Sequence, residues 1–240
     1  MSEGPPAGAR TTGAPDPDAT RVVLVRHGEA ECNVNGIVGG QAGCTGLTAL
    51  GQRQVDALAE RLARTGELAG VTALYASVLP RAIETAEAIR PALERWRQGP
   101  PLEIVTDCSL CELHPGEADG LNWAQFAARY DEPDWDNEPA KPLAPGGESW
   151  ASFVDRAATA VADVAGANPG GLVVIACHAG VVESTMLRFL PACTTTGRLE
   201  LRTEHASMTD WEAQKERWLL RRYNDATPVS EGPWSPGPAA

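Results

Sequence analysis

The chain has 240 residues, 43% of them hydrophobic, enough for one sizeable core without covalent staples. Its 32 acidic against 20 basic residues give a formal charge of -12, which disfavours nucleic acid or an anionic membrane as a partner bound through net charge. No apolar run approaches the ~20 residues of a membrane span.

Residues 1–20, rich in Pro, Gly, Ala and Thr, lack an apolar targeting core and read as a disordered tail. The β-branched run at 21–26 suits a buried strand. "ALGQRQVDALAERLART" (49–65) places Leu50, Val55, Leu58, Ala59 and Leu62 on one helical face, with Thr48 as N-cap. "VTALYAS" (71–77) is the next strand, and Pro80 opens a helix to about residue 94. "LEIVTDC" (102–108) is a third strand candidate. The long segment 108–146 holds at most one short helix, near 122–130. An Ala-rich helix covers 148–167, and "GGLVVIACHAG" (170–180) contains a buried strand ending at His178. A helix at 180–190 follows, then an alternating stretch at 197–225 in the manner of an antiparallel pair, and a flexible tail at 227–240. This order predicts an α/β three-layer sandwich with a mostly parallel central sheet and helices on both faces. One domain is expected over 21–226, with 108–146 forming a small irregular cap over the strand C-terminal ends.

Six cysteines (Cys32, Cys44, Cys108, Cys111, Cys177 and Cys193) follow no secretory signal, so reduced thiols and a cytoplasmic location are expected. Cys108 and Cys111 form a single CxxC, read as ordinary thiols because no second pair completes a zinc site.

Arg26 and His27 end one predicted strand, Ser77 a second and His178 a third, and ligands of open α/β sheets collect at the carboxyl ends of strands. Each residue alone has an ordinary structural reading, but their shared placement asks for a joint one. Arginines present planar donors to phosphoryl oxygens and stay charged. Arg26, Arg81 and one imidazole would neutralise a dianion, leaving the other imidazole to attack phosphorus. Gly28 permits close backbone approach. A proton donor for the leaving alcohol is still missing from this set.

The sequence resembles the histidine phosphatase superfamily, also called the phosphoglycerate mutase-like family. The resemblance is carried by "LVRHGEAECN" (24–33), "LTALGQRQ" (47–54), "YASVLPRAIETA" (75–86), "CELHPGEADGLNW" (111–123), "PGGES" (145–149), "CHAG" (177–180) and "YND" (223–225). It implies that His27 is the phosphorylated nucleophile and that Arg26, Arg81, His178 and Asn33 hold the phosphoryl group. Glu112 matches the acid that protonates the leaving group and then activates water. Ser77 is either a helix cap or a contact at or just behind the phosphate, and Ala179 adjoins the same place. The chain departs from the common pattern at Ala30, at Ala118 and in the loop around Gly39 and Gly40. His205 stands where relatives usually carry asparagine.

The 65 residues between Glu112 and His178 resemble the shorter phosphatase arrangement. The expected function is therefore a metal-independent phosphomonoesterase, without a cofactor, acting on a small phosphorylated metabolite through a phosphohistidine. A 2,3-bisphosphoglycerate-dependent phosphoglycerate mutase and a non-catalytic phospho-ligand binding or regulatory module are the alternatives. Gly39, Gly40, Trp123, Trp135 and His205 are candidate substrate contacts, and a monomer or homodimer is expected.

Overall fold

The computed structural model describes residues 19–190, 201–214 and 217–226. Both expected tails, apart from residues 19 and 20, lie outside the described residues, as do Cys193 and the start of the 197–225 stretch. The elements in chain order are β1 (Thr20–Arg26), α1 (Glu31–Val34), α2 (Ala49–Thr65), β2 (Ala73–Ala76), α3 (Pro80–Glu94), β3 (Ile104–Thr106) and α4 (Trp123–Arg129). They continue with α5 (Trp150–Ala167), β4 (Leu172–Cys177), α6 (Ala179–Phe189), β5 (Met208–Gln214) and β6 (Arg217–Asp225).

The six strands form one sheet in the order β3-β2-β4-β1-β5-β6. β3, β2, β4 and β1 run parallel, and β5 and β6 extend the β1 edge antiparallel. Alternation along β1 divides its side chains between two cores. Val22 and Leu24 pack with α5 and α6 residues such as Phe153, Val161 and Val181, whereas Val23 and Val25 pack with Val55, Leu58 and Ile89 from α2 and α3. A strand covered on both faces reads as a continuous apolar run, which is why residues 22–25 are all fully buried.

Thr48 caps α2 by accepting from the Gly51 amide, and Gly66 closes the helix in the left-handed conformation. Val55, Leu58 and Leu62 are buried, but Leu50, expected on that face, is 43% exposed. It lies in the first turn of the helix, before the stripe meets the sheet. β3 is only three residues long and mostly exposed, so the 102–108 stretch supplies a short edge strand rather than a full one. The 108–146 segment contains two single-turn 3-10 helices and α4, and its Ala118, Phe126 and Ala144 form a small core with Val38 from the loop after α1. Ala118, where an aromatic was missing from the expected pattern, is fully buried in that satellite core.

β1 and β4 are parallel neighbours with Arg26 opposite Cys177. The residues that follow them, His27 and His178, therefore emerge side by side at one sheet edge, and Ser77 emerges beside His178 after β2. Among the described residues no helix is long and apolar enough to cross a membrane.

Candidate active site

The rings of His27 and His178 lie 5.2 Å apart, edge to face. His27 Nδ1 is 2.6 Å from the Gly28 carbonyl oxygen, and a carbonyl only accepts, so Nδ1 carries the proton. Nε2 therefore keeps its lone pair, and Arg81 Nε donates to it at 3.1 Å. Burial, reinforced by the charges of Arg81, His178, Arg26 and His205, holds His27 well below the ordinary histidine range. The imidazole is neutral, with its Nε2 lone pair turned toward the Arg81 guanidinium.

Arg81, the second residue of α3, is buried; its Nη1 donates to the Gly39 carbonyl at 2.8 Å. Arg26 Nη1 donates to the Thr203 carbonyl and Nη2 to His205 Nε2 at 3.0 Å. His178 begins α6; its Nε2 lies 2.8 Å from Ser77 Oγ, and burial with the charges of Arg81, Arg26 and Arg156 lowers its pKa strongly. Arg26 Nε and His178 Nδ1 are buried without a hydrogen-bond partner. Unsatisfied polar groups of this kind are costly unless something binds them, and an anion at this point accepts from Arg26 Nε.

Glu112 closes the other side. Its Oε2 accepts from Gly180 N at 3.1 Å and Oε1 from Leu113 N at 3.3 Å. A cleft of about 220 Å³ is lined by Arg26, His27, Asn33, Arg81, Glu112 and Ala179, and also by Gly39, Gly40 and Trp123. Asn33 Oδ1 accepts from Ala30 N at 3.1 Å, fixing the turn after β1.

Three candidates sit behind the cleft rather than in it, and one of them is the fully buried His178. Ser77 is fully buried, accepts from Leu79 N at 3.1 Å and contacts His178, so it acts on both the α3 start and the imidazole. The His205 ring lies tilted with its centroid 5.7 Å from that of His27, and it braces Arg26. Trp135 does not join the group. It stacks on Trp150 with centroids 5.8 Å apart and donates Nε1 to the Lys141 carbonyl, anchoring the irregular segment to α5. The acids Asp131, Glu132, Asp134, Asp136 and Glu138 are exposed, and none lines the cleft.

Several positioning residues were missed from sequence. Thr85 Oγ1 accepts from Gly28 N at 3.2 Å and donates to the Arg81 carbonyl at 2.8 Å, tying the residue after His27 to α3. Asp119 accepts from Ala42 N and Gly43 N, both at 2.9 Å, and so fixes the loop that carries Gly39 and Gly40. Arg156 donates to the carbonyls of Ser109, Cys111 and Glu112 while paired with Glu148 at 2.7 Å, which holds the backbone that presents Glu112. The signal available for Thr85 and Asp119 was their place in "YASVLPRAIETA" and "CELHPGEADGLNW"; in "LTALGQRQ", Gln54 Oε1 accepts from Glu29 N at 2.8 Å, and Thr48 Oγ1 donates to Glu29 Oε1 at 2.7 Å.

Comparison with known proteins gives matches over most of the chain. The family model described as histidine phosphatase superfamily (branch 1) matches residues 22–226. A metal-independent phosphoserine phosphatase of Arabidopsis thaliana is 29% identical over 218 residues, covering 89% of this chain and 84% of that protein. Phosphoglycerate mutase-like protein 4 of the same plant is 28% identical, with 90% of each chain covered. Among solved structures, a mycobacterial glucosyl-3-phosphoglycerate phosphatase with VO3 superposes at a TM-score of 0.66 and 28% identity, covering 85% of this chain and 98% of that one.

Proposed function

The chain belongs to the histidine phosphatase superfamily, branch 1, a hydrolase of that type acting on a small phosphorylated molecule, and from this premise we propose that it cleaves phosphomonoesters through a phosphorylated His27. The observation that carries this reading is the neutral His27 in a cleft lined by Arg26, Arg81 and Glu112, with His178 buried against its ring.

In the first step His27 Nε2 attacks phosphorus in line. The P–N bond forms as the P–O bond to the alcohol breaks, and Glu112 in its acid form delivers a proton to the departing oxygen. Arg26 and Arg81, with His178, stabilise the charge on the transferring oxygens in a site largely shielded from water. In the second step Glu112, now a carboxylate, removes a proton from water as its oxygen attacks phosphorus, releasing inorganic phosphate and restoring His27. No metal enters this scheme because the guanidinium groups of Arg26 and Arg81 supply the positive charge. The Arabidopsis relative whose name is metal-independent phosphoserine phosphatase supports that reading.

The lining also favours a monophosphate over a bisphosphate. Beyond Arg26 and Arg81 the described lining includes no further arginine or lysine, and its outer wall is Ile37, Val38, Leu113, Trp123 and Leu143. A second phosphate would find apolar side chains and no counter-charge among the described lining. This argues for hydrolysis of a small monoester over bisphosphoglycerate-dependent mutase chemistry.

A phosphomonoester panel assayed with excess chelator tests the function. Wild type is expected to release phosphate from at least one member and to trap acid-labile phosphate on His27. His27→Ala is expected to lose turnover while keeping its circular dichroism and thermal midpoint. Binding without turnover or labelling in the wild type favours the non-catalytic module, and transfer back to an alcohol outpacing release to water favours the mutase.

A further inference from the structure

Two thiols and an imidazole meet outside the phosphoryl cleft. Cys108 and Cys111 bracket a 3-10 turn with their sulfurs 3.5 Å apart, and His114 Nε2 lies 3.4 Å from Cys108 Sγ. The three donor atoms all fall within 4.8 Å of one another. With Zn–S of about 2.3 Å and Zn–N of about 2.0–2.1 Å, a tetrahedral ion requires edges of about 3.8 Å between sulfurs and about 3.6 Å between sulfur and nitrogen. The two measured separations approach those edges, so an ion fits with small side-chain adjustments.

The surroundings also suit a cation. His114 Nδ1 faces Glu148 Oε2 at 3.6 Å, which places a carboxylate behind the nitrogen that would not ligate, the usual support for a ligating imidazole. Ser77 Oγ donates to Cys111 Sγ at 3.4 Å and Gln41 Nε2 to Cys108 Sγ at 3.6 Å, so each sulfur has a hydrogen-bond donor beside it. Arg156 clamps the carbonyls of Ser109, Cys111 and Glu112, so the turn carrying the ligands is held in place. The three ligands border a second cleft of about 290 Å³ that reaches Gln41 and Asp119.

We propose that Cys108, Cys111 and His114 bind one Zn2+ ion, with a fourth coordination position open to this second cleft. None of the three ligands lines the phosphoryl cleft, although the second cleft adjoins it through Gly40, Glu112, Leu113 and Pro115. CxxC alone supplies two ligands. The third comes from His114, three residues on, because the extended backbone after the turn brings its ring back over Cys108.

The test uses the full chain, stripped with chelator and kept reduced by a phosphine, titrated with Co2+ and then Zn2+. One equivalent of Co2+ is expected to give thiolate-to-cobalt charge transfer and the intense visible bands of a four-coordinate ion, bleached by one equivalent of Zn2+. Cys108→Ser and His114→Gln, both at partly exposed positions, are expected to weaken Zn2+ binding by at least about tenfold. Circular dichroism and thermal unfolding identify any variant that fails to fold. A pale six-coordinate cobalt spectrum, or Zn2+ affinity and stoichiometry unchanged in folded Cys108→Ser and His114→Gln, overturns the assignment.

Discussion

His205 sets the direction of Arg26. The guanidinium donates through Nη1 to the Thr203 carbonyl and through Nη2 to His205 Nε2, so its position toward the phosphoryl group depends on both acceptors. Losing a hydrogen bond to a charged group costs about 1.5–3 kcal/mol. His205→Ala is therefore expected to lower kcat/KM by about 10–100-fold. His205→Asn places an amide oxygen as acceptor in the same region and is expected to recover most of that loss. Steady-state kinetics on the two variants check the role, and equal loss in both would show that the ring rather than the acceptor matters. At this scale the sequence was informative where a residue follows a buried strand. His27 and His178 were legible because apolar runs locate strand ends. Trp135 was not, since an aromatic in an irregular segment serves equally for stacking a ligand or for anchoring the chain. Packing against Trp150 made it an anchor.

The start of α6 and the 108–146 segment together present Glu112. Gly180 donates its amide to Glu112 Oε2, and a Cβ there would lie 2.2 Å from Oε1 and 2.9 Å from the Phe153 ring. The buried ring has little room to yield, so Gly180→Ala is expected to displace the carboxylate while costing about 1–3 kcal/mol of stability. A misplacement near 1 Å costs roughly 100-fold in rate. If Glu112 protonates the leaving group, the loss in kcat falls on alkyl phosphates and is small for nitrophenyl phosphate, whose anion leaves unaided. Glu112→Gln is expected to show the same leaving-group dependence, with an alkyl ester loss of about 10²–10⁴-fold. Losses independent of the leaving group in both variants would remove Glu112 from that role. α2, α5 and β4 could be read from periodicity and apolar runs. The cap was less legible because Asp119 and Arg156 hold it through bonds to main-chain groups, which leave no repeat in the sequence. β3 was read too long because its apolar residues lie at an exposed edge.

Over the whole molecule, folding gathers positive charge into one cleft of a chain whose formal charge is -12. Three of its four histidines are buried there. Burial is the largest cause of the lowered pKa in each: His27 and His178 fall well below the ordinary range, and His205 falls to about 3 with Arg26 adding repulsion. All three native values lie below the unfolded value of about 6.5, so below that pH the unfolded chain binds protons that the native protein cannot. Their stabilising effect is complete above about pH 6.5 and is lost as pH falls, at up to about 1.4 kcal/mol per pH unit for each histidine. Glu67 and Glu148 have lowered pKa values, and the stability they lend is lost only near and below the ordinary carboxylate range of about 4.3. Between roughly pH 6.5 and 4.5, then, the histidines dominate the slope. Urea midpoints of the ligand-free protein are expected to fall steadily from pH 7.5 to 5.0. His205→Asn is expected to flatten that fall by one proton equivalent, because it removes one of the three groups that cannot protonate in place. An unchanged slope in His205→Asn, or a flat profile in wild type, would mean that these imidazoles take up protons in the folded state. A protonated His27 has no lone pair on Nε2, so that outcome would also place an acid limit on the proposed nucleophile. The same titration therefore links the cost of building the site to the pH range in which its chemistry can run.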